Sequence, residues 1–247
     1  MKHLYAIGLL CITAVITASG QDGLFGSFLL GQKFINVDEL NAALTPNNIQ
    51  GVEFPSHHWS LGGEGHVVIA KHFVVGGKGF AFTWEKAVPG VAPERRLKLT
   101  GGTGIGNLGY ALNVANTESH LFRIIPQAGL GLSTFLFQSK TQLDSTQATF
   151  NYVLRNGEDN MTVIEKVGLV IDVAISVDWY LKFIHLLSIV PGLETGPMLH
   201  LDCGYSITPA NLHWMRDVDQ LDYDPDLKFN GFYVSAGIGL GFSSGKN

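Results

Sequence analysis

Between Val163 and Leu181 the odd positions read Val163, Glu165, Val167, Leu169, Ile171, Val173, Ile175, Val177, Trp179 and Leu181, and the even ones Ile164, Lys166, Gly168, Val170, Asp172, Ala174, Ser176, Asp178 and Tyr180. An apolar set alternating with a small, polar or charged set is the period of a β-strand. From Val167 to Leu181 the odd set is apolar without a break, a run of 15 residues, whereas strands of ordinary domains average about five or six. A strand tilted by about 45° crosses a bilayer in about 9 to 11 residues. Length and pattern together predict a strand with lipid on its apolar side and a polar lumen on the other.

The same logic holds from Phe122 to Leu136, where the apolar set is even and the odd set includes Arg123, Gln127, Gly129, Gly131 and Ser133. It holds again from Phe232 to Phe242, with Tyr233, Ser235, Gly237, Gly239 and Gly241 on the small side. Weaker alternation marks strands at 24–32, 57–69, 73–86, 97–114 and 193–207, for a total of eight. Pro126 can donate no ladder hydrogen bond, so a bulge or local bend is expected there. Short links near Lys71, Asn116 and Ser188 alternate with longer ones at 33–56, 87–96, 139–160 and 208–228, the arrangement of an up-and-down barrel. The first long link holds a predicted short helix, Val37 to Leu44. Trp59, Trp84, Tyr110, Trp179, Phe232 and Phe242 fall near strand ends, where an interfacial girdle would place them. The predicted fold is an all-β, transmembrane, antiparallel up-and-down β-barrel of about eight strands.

Composition sharpens this picture. The chain has 247 residues, 46% of them apolar and only 15% charged, with 30 glycines, which excludes a disordered chain. Beyond the first 20 residues no apolar run reaches the length of about 18 that a membrane helix needs. The formal charge of −5 leaves no basic face for nucleic acid. Met1 to His3 form a basic start, Leu4 to Thr17 an apolar core, and Ala18-Ser19-Gly20 a small-residue site, so residues 1–20 read as a secretory signal peptide and 21–247 as one barrel domain. Cleavage removes Cys11 and leaves Cys203, so no intrachain disulfide is expected.

The exported start, LNAAL at 40–44, LGGEG at 61–65, LDCGY at Leu201 to Tyr205 and the closing GFYVSAGIGLGF at Gly231 to Phe242 resemble the outer-membrane β-barrel proteins common in Bacteroidota. The resemblance covers about residues 24–242 and implies location and architecture more than an activity. The last strand resembles the assembly signal of such barrels, with SSGKN following Phe242 as a departure.

With apolar faces outward, the lumen would receive Glu64, His66, Glu85, Arg123, Lys166, Asp172, Asp178, Glu194, His200 and Asp202. Buried charges must be paired or neutralised, and Arg123 and Asp178 are the expected pair across neighbouring strands. This set reads as a structural polar core, with a proton or metal site as the sharper alternative, although no metal-binding spacing is present. Five acids, Asp217, Asp219, Asp222, Asp224 and Asp226, crowd one outer loop and read as a solvated cluster rather than a calcium loop. The glycines of Gly101 to Gly106 lack the lysine and helix of a phosphate loop and read as strand. His57, His58 and Trp59, with Ser56 or Ser60, raise a lipid-modifying hydrolase as the alternative, against the difficulty that consecutive strand residues face opposite sides. The leading expectation is a non-enzymatic outer-membrane barrel without cofactor. Its expected partners are outer-membrane lipids, lipopolysaccharide and a protein of the envelope. A soluble carrier with a lipid inside would need the opposite facing of apolar and charged residues.

Overall fold

A computed structural model describes residues 23–44, 51–90, 95–141, 161–182, 193–211, 215–216, 219–220 and 226–244. The elements in chain order are β1 (Gly23–Phe34), α1 (Asp38–Leu44), β2 (His57–Ile69), β3 (Phe73–Ala87), β4 (Arg95–Tyr110), β5 (Leu112–Asn116), β6 (His120–Thr141), β7 (Met161–Leu181), β8 (Leu193–Asn211), β9 (Met215–Arg216), β10 (Asp219–Gln220) and β11 (Gly231–Ser244). Every pairing is antiparallel. Eight strands close on themselves in the order β1, β2, β3, β4, β6, β7, β8, β11 and back to β1. The expected barrel and its strand number are therefore what the chain forms. The signal-peptide segment 1–20, the link at Ser188 and most of the 139–160 loop lie outside the described residues.

The strand faces follow from side-chain alternation. Along β7, Leu169, Ile171, Val173, Ile175 and Trp179 are exposed while Lys166, Asp172, Asp178 and Tyr180 are buried. Along β11, Phe232, Val234 and Ile238 are exposed while Tyr233 and Ser235 are buried. In both strands the inside and outside assignments are those expected from the period. One girdle residue is not where the sequence placed it: Trp84 points inward, half-buried, with its ring 4.4 Å from that of Phe54.

A narrow barrel cannot fill every inward position. A Cβ at Gly131 would lie 2.0 Å from the Gly104 carbonyl oxygen, and one at Gly239 would lie 2.0 Å from that of Gly26. Glycine is the residue that permits such approach. Pro126 behaves differently from the expected bulge. β6 runs past it unbroken against β7, with Pro126 opposite Ile175. The strand on its other side is the one interrupted: β4 stops at Tyr110 and β5 starts at Leu112 in unchanged register, Gly109 facing Gln127 and Leu112 facing Ile124. Proline offers that neighbour no N–H to accept, and the register shift falls further along, between Asn113 and Ala115.

Both ends of the lumen are filled by side chains. At the long-loop end Ile35, Val37, Leu40, Leu44, Val52 and Phe54 pack with Leu227 and Phe229 onto Phe82, Leu97, Leu99 and Phe135 of the wall. The cap is stitched by backbone as well as by packing. Asn41 donates to the Phe54 carbonyl and accepts from its N–H at 2.9 and 2.8 Å, Asn36 bridges to Lys228, and the Asp226 N–H donates to Glu39 Oε2 at 2.7 Å. At the short-turn end Phe25, Val68, Val74, Leu121, Ile125, Tyr180 and Met198 form a second apolar cluster. Between these two seals lies the polar interior.

Candidate functional site

Of the ten residues expected in the lumen, Glu64, His66, Arg123, Lys166, Asp172, Asp178, His200 and Asp202 are buried inside the barrel. Glu85 is not. It sits on the outward face of β3, exposed, 3.4 Å from Arg96 Nη1. The inward parity of β3 is set by Val74, Lys78, Phe80 and Phe82, which are buried. Glu194 lies in β8 opposite Ser243, and its side chain is outside the described residues. Two inward cations were missing from the expected set, Lys33 of β1 and Lys78 of β3. The corrected interior holds four buried carboxylates, Glu64, Asp172, Asp178 and Asp202, against four buried lysines and arginines, Lys33, Lys78, Arg123 and Lys166. The excess of acids suggested by the sequence therefore disappears among the described residues.

These groups sort into layers along the barrel. The first is a closed square of two imidazoles and two carboxylates. His66 lies 3.5 Å from Glu64 Oε1 through Nδ1 and 3.0 Å from Asp178 Oδ2 through Nε2. His200 lies 2.7 Å from Asp178 Oδ1 through Nδ1 and 3.1 Å from Glu64 Oε2 through Nε2. The square needs three strands. β2 brings Glu64 and His66 two residues apart on one face, and the register of β7 with β8 sets Asp178 opposite His200. Phe25 stacks on His66 with ring centroids 5.3 Å apart and meets Tyr180 edge-on. Arg123 Cζ stands 4.6 Å from the centroid of the same Phe25 ring, and its Nε donates to Asn113 Oδ1 at 3.1 Å. Arg123 and Asp178 are register partners as expected, but the Asp178 carboxylate is taken by the two histidines. The predicted ion pair is corrected accordingly.

The second layer is built around Lys78. Its ammonium lies 2.8 Å from Asp172 Oδ2 and 2.9 Å from Asp202 Oδ2, and donates its third hydrogen to the Tyr233 hydroxyl. Tyr233 in turn donates to Asp172 Oδ2 at 2.9 Å. The outer oxygens of the two carboxylates are satisfied as well, Asp172 Oδ1 by Ser206 and Asp202 Oδ1 by Ser176, which itself accepts from Gln127. A buried ion pair holds only when the remaining lone pairs and protons are also matched, and this one meets that condition. A third layer holds Lys33 alone among rings. Its ammonium is 4.8, 5.1 and 5.0 Å from the Phe80, Phe229 and Tyr233 centroids and donates to Thr103 Oγ1 at 3.4 Å. Cation–π contacts of this kind replace water around a desolvated ammonium.

Of the outer-loop acids, Asp217, Asp222 and Asp224 lie outside the described residues, as does the side chain of Asp219. Asp226 is described and makes a close ion pair with Lys228. The residues weighed for a hydrolase are dispersed. His57 and Trp59 are exposed, while His58 points inward and stacks on Phe82 at 4.4 Å. The Ser60 hydroxyl donates to the Gly31 carbonyl at 3.3 Å rather than to a histidine. Gly101 to Gly106 lie within β4.

No protein-family model matches the sequence, and no curated relative matches it. Similar solved structures exist. The attachment invasion locus protein Ail of Yersinia pestis, in complex with the heparin analogue sucrose octasulfate, is 9% identical with a TM-score of 0.40, over 90% of this chain and 98% of that one. The outer membrane protein OprG from Pseudomonas aeruginosa is 12% identical with a TM-score of 0.33, over 91% and 97%. The outer membrane protease OmpT from Escherichia coli is 7% identical with a TM-score of 0.26, over 90% and 95%.

Proposed function

We propose that this chain is an integral barrel of a bacterial outer membrane, without catalytic activity, whose filled lumen braces the wall and whose capped outer end serves envelope structure or surface recognition. One observation carries the reading. Large apolar side chains such as Ile238, Leu130 and Val173, 70, 63 and 58% exposed, cover the outside, while lysine, aspartate and histidine are buried inside. Exposed apolar area on this scale has no stable place in water. A water-filled channel is disfavoured by the apolar seals at both ends, and an eight-stranded barrel is only just wide enough to be filled by its own side chains. Contact with partners then falls to the lipid face and the ends. The lipid face meets outer-membrane lipid and lipopolysaccharide. The outer end offers a pre-ordered surface on which α1, the 51–56 segment and the 226–230 segment are tied together, suited to a protein of the envelope.

The test is location and facing together. Detergent-extracted protein should migrate differently on gels before and after boiling, and spin labels at 171, 173 and 175 should report lipid. Labels reporting water would overturn the facing, and a large stable conductance in planar bilayers would overturn the filled lumen. The hydrolase alternative is checked by comparing envelope lipids of deletion and wild-type cells, where unchanged acyl composition is expected.

A further inference from the structure

Four atoms of the imidazole and carboxylate square, Glu64 Oε2, His66 Nε2, Asp178 Oδ2 and His200 Nε2, are buried without a directed hydrogen bond, and the pair at Glu64 and His200 has a further carboxylate beside it. His200 Nδ1 is 2.7 Å from Asp178 Oδ1 in a well-directed hydrogen bond. An ionised carboxylate only accepts, so that nitrogen carries a proton, and in the neutral imidazole Nε2 keeps a lone pair. His200 Nε2 faces Glu64 Oε2 at 3.1 Å, yet neither atom makes a directed hydrogen bond, and both are buried. In the neutral ring that nitrogen and the Glu64 oxygen present two lone pairs able to converge on one cation. Asp202 supplies another oxygen, and the donor atoms of Glu64, His200 and Asp202 lie within 4.8 Å of one another.

We propose that Glu64, His200 and Asp202 form a binding site for a transition-metal dication of the zinc class, enclosed in the barrel. The donor chemistry fits. One imidazole and two carboxylates suit zinc and its neighbours better than calcium or magnesium, which take oxygen alone. Donors on a shell of about 2.0 to 2.2 Å radius sit a little over 3 Å apart when adjacent, the spacing that His200 and Glu64 already have. The supporting shell is also in place. Asp178 orients the ring of His200, the role a carboxylate plays behind a metal-bound histidine, while Lys78 and Ser176 hold one oxygen of Asp202 each and leave it a second lone pair on both. The square with neutral rings carries two carboxylate charges, Glu64 and Asp178, which a dication offsets. With both ends sealed, the ion enters as the barrel forms rather than afterwards.

The site lies inside the barrel whatever surrounds it, so its failure would leave the membrane reading standing. The experiment folds the full chain in detergent with Zn²⁺ alone, passes it through a chelating column, and measures metal by mass spectrometry. About one zinc per folded chain is expected, falling at least tenfold in Glu64→Gln and in His200→Gln, with Glu85→Gln as an outward-facing control that keeps it. Retention below a tenth of an equivalent, or equal retention in Glu64→Gln, would overturn the site. Should both variants fail to fold, wild-type protein decides alone. The ¹⁵N resonance of His200 Nε2 should move between zinc-folded and chelator-folded samples, and identical spectra with both nitrogens protonated would assign the square to protons instead.

Discussion

Across the outside of β1 to β4, Gly26, Gly65, Gly77 and Gly106 stand side by side in register, with Gly63, Gly79 and Gly104 in the next row. Across the outside of β6 to β8 the same rows continue in register into Leu130, Leu132, Leu169, Ile171 and Ile207, all exposed. Along this band one side of the wall is smooth and the other studded, while beyond the band β1 to β4 carry Phe28, Leu61, Phe73 and Leu108 outward as well. The glycines of the smooth half differ from those that line the lumen. A Cβ at Gly26 or Gly65 would meet its nearest atom at 3.8 Å, and one at Gly104 would meet nothing within 4 Å, whereas inward Gly131 and Gly239 have no room for one. Inside, glycine answers a steric demand. Outside, it gives up strand stability of about 0.5 to 1 kcal/mol per position relative to alanine with no packing gained within the chain.

The two halves are tied across the lumen by Lys78 of the smooth side, which grips Asp172 and Asp202 of the studded side. Cutting this tie is the strongest way to break the comparison. Lys78→Met leaves two carboxylates buried without their cation and should cost about 3 to 5 kcal/mol, read as a lower urea midpoint of the folded band on unboiled gels. Adding Asp172→Asn and Asp202→Asn should recover part of that loss; no recovery would mean that Lys78 acts through packing instead. Next in size is the studded face itself. Val173→Arg puts a charge at the middle of β7 and should cost about 2 to 4 kcal/mol in lipid vesicles. An unchanged midpoint would show that this face does not meet hydrocarbon.

The smallest test separates the two kinds of glycine. Gly131→Ala forces a methyl against the β4 backbone and should destabilise by about 1 to 3 kcal/mol. Gly104→Ala should be neutral or stabilise by up to about 1 kcal/mol. Equal losses at both positions would erase the distinction, and a loss at Gly104 alone would reverse it.

The same division explains what could be read from sequence. β7 was legible because its mass and its charge agree: bulky residues go out and Asp172, Ser176 and Asp178 go in. In β3 they disagree. Its inward positions carry Val74, Phe80, Phe82 and Trp84, and its outward ones Gly77, Gly79, Ala81 and Thr83. Hydrophobic alternation there points the wrong way, which put Glu85 inside and hid Lys78. Lys33 escaped because it stands one residue past the predicted end of β1, under a cap whose packing involves Phe229, roughly two hundred residues away in sequence. The square was half legible. Glu64 and His66 share a face by period, but the meeting of Asp178 with His200 depends on the register between β7 and β8, which no single strand encodes.

The seam between β1 and β11, from Leu24 opposite Phe242 to Lys33 opposite Tyr233, joins the first of the described strands to the last. Ring closure therefore waits until β11 has been synthesised. Until β11 arrives, β1 and β8 each present a row of unanswered amide and carbonyl groups, the edges that recruit foreign strands. Contacts spanning nearly the whole sequence also carry a large loop-closure cost, so assembly is slow by its own topology. Those two edges stay open until the seam closes, and the need to keep them covered is written into the order of the strands rather than into any one residue.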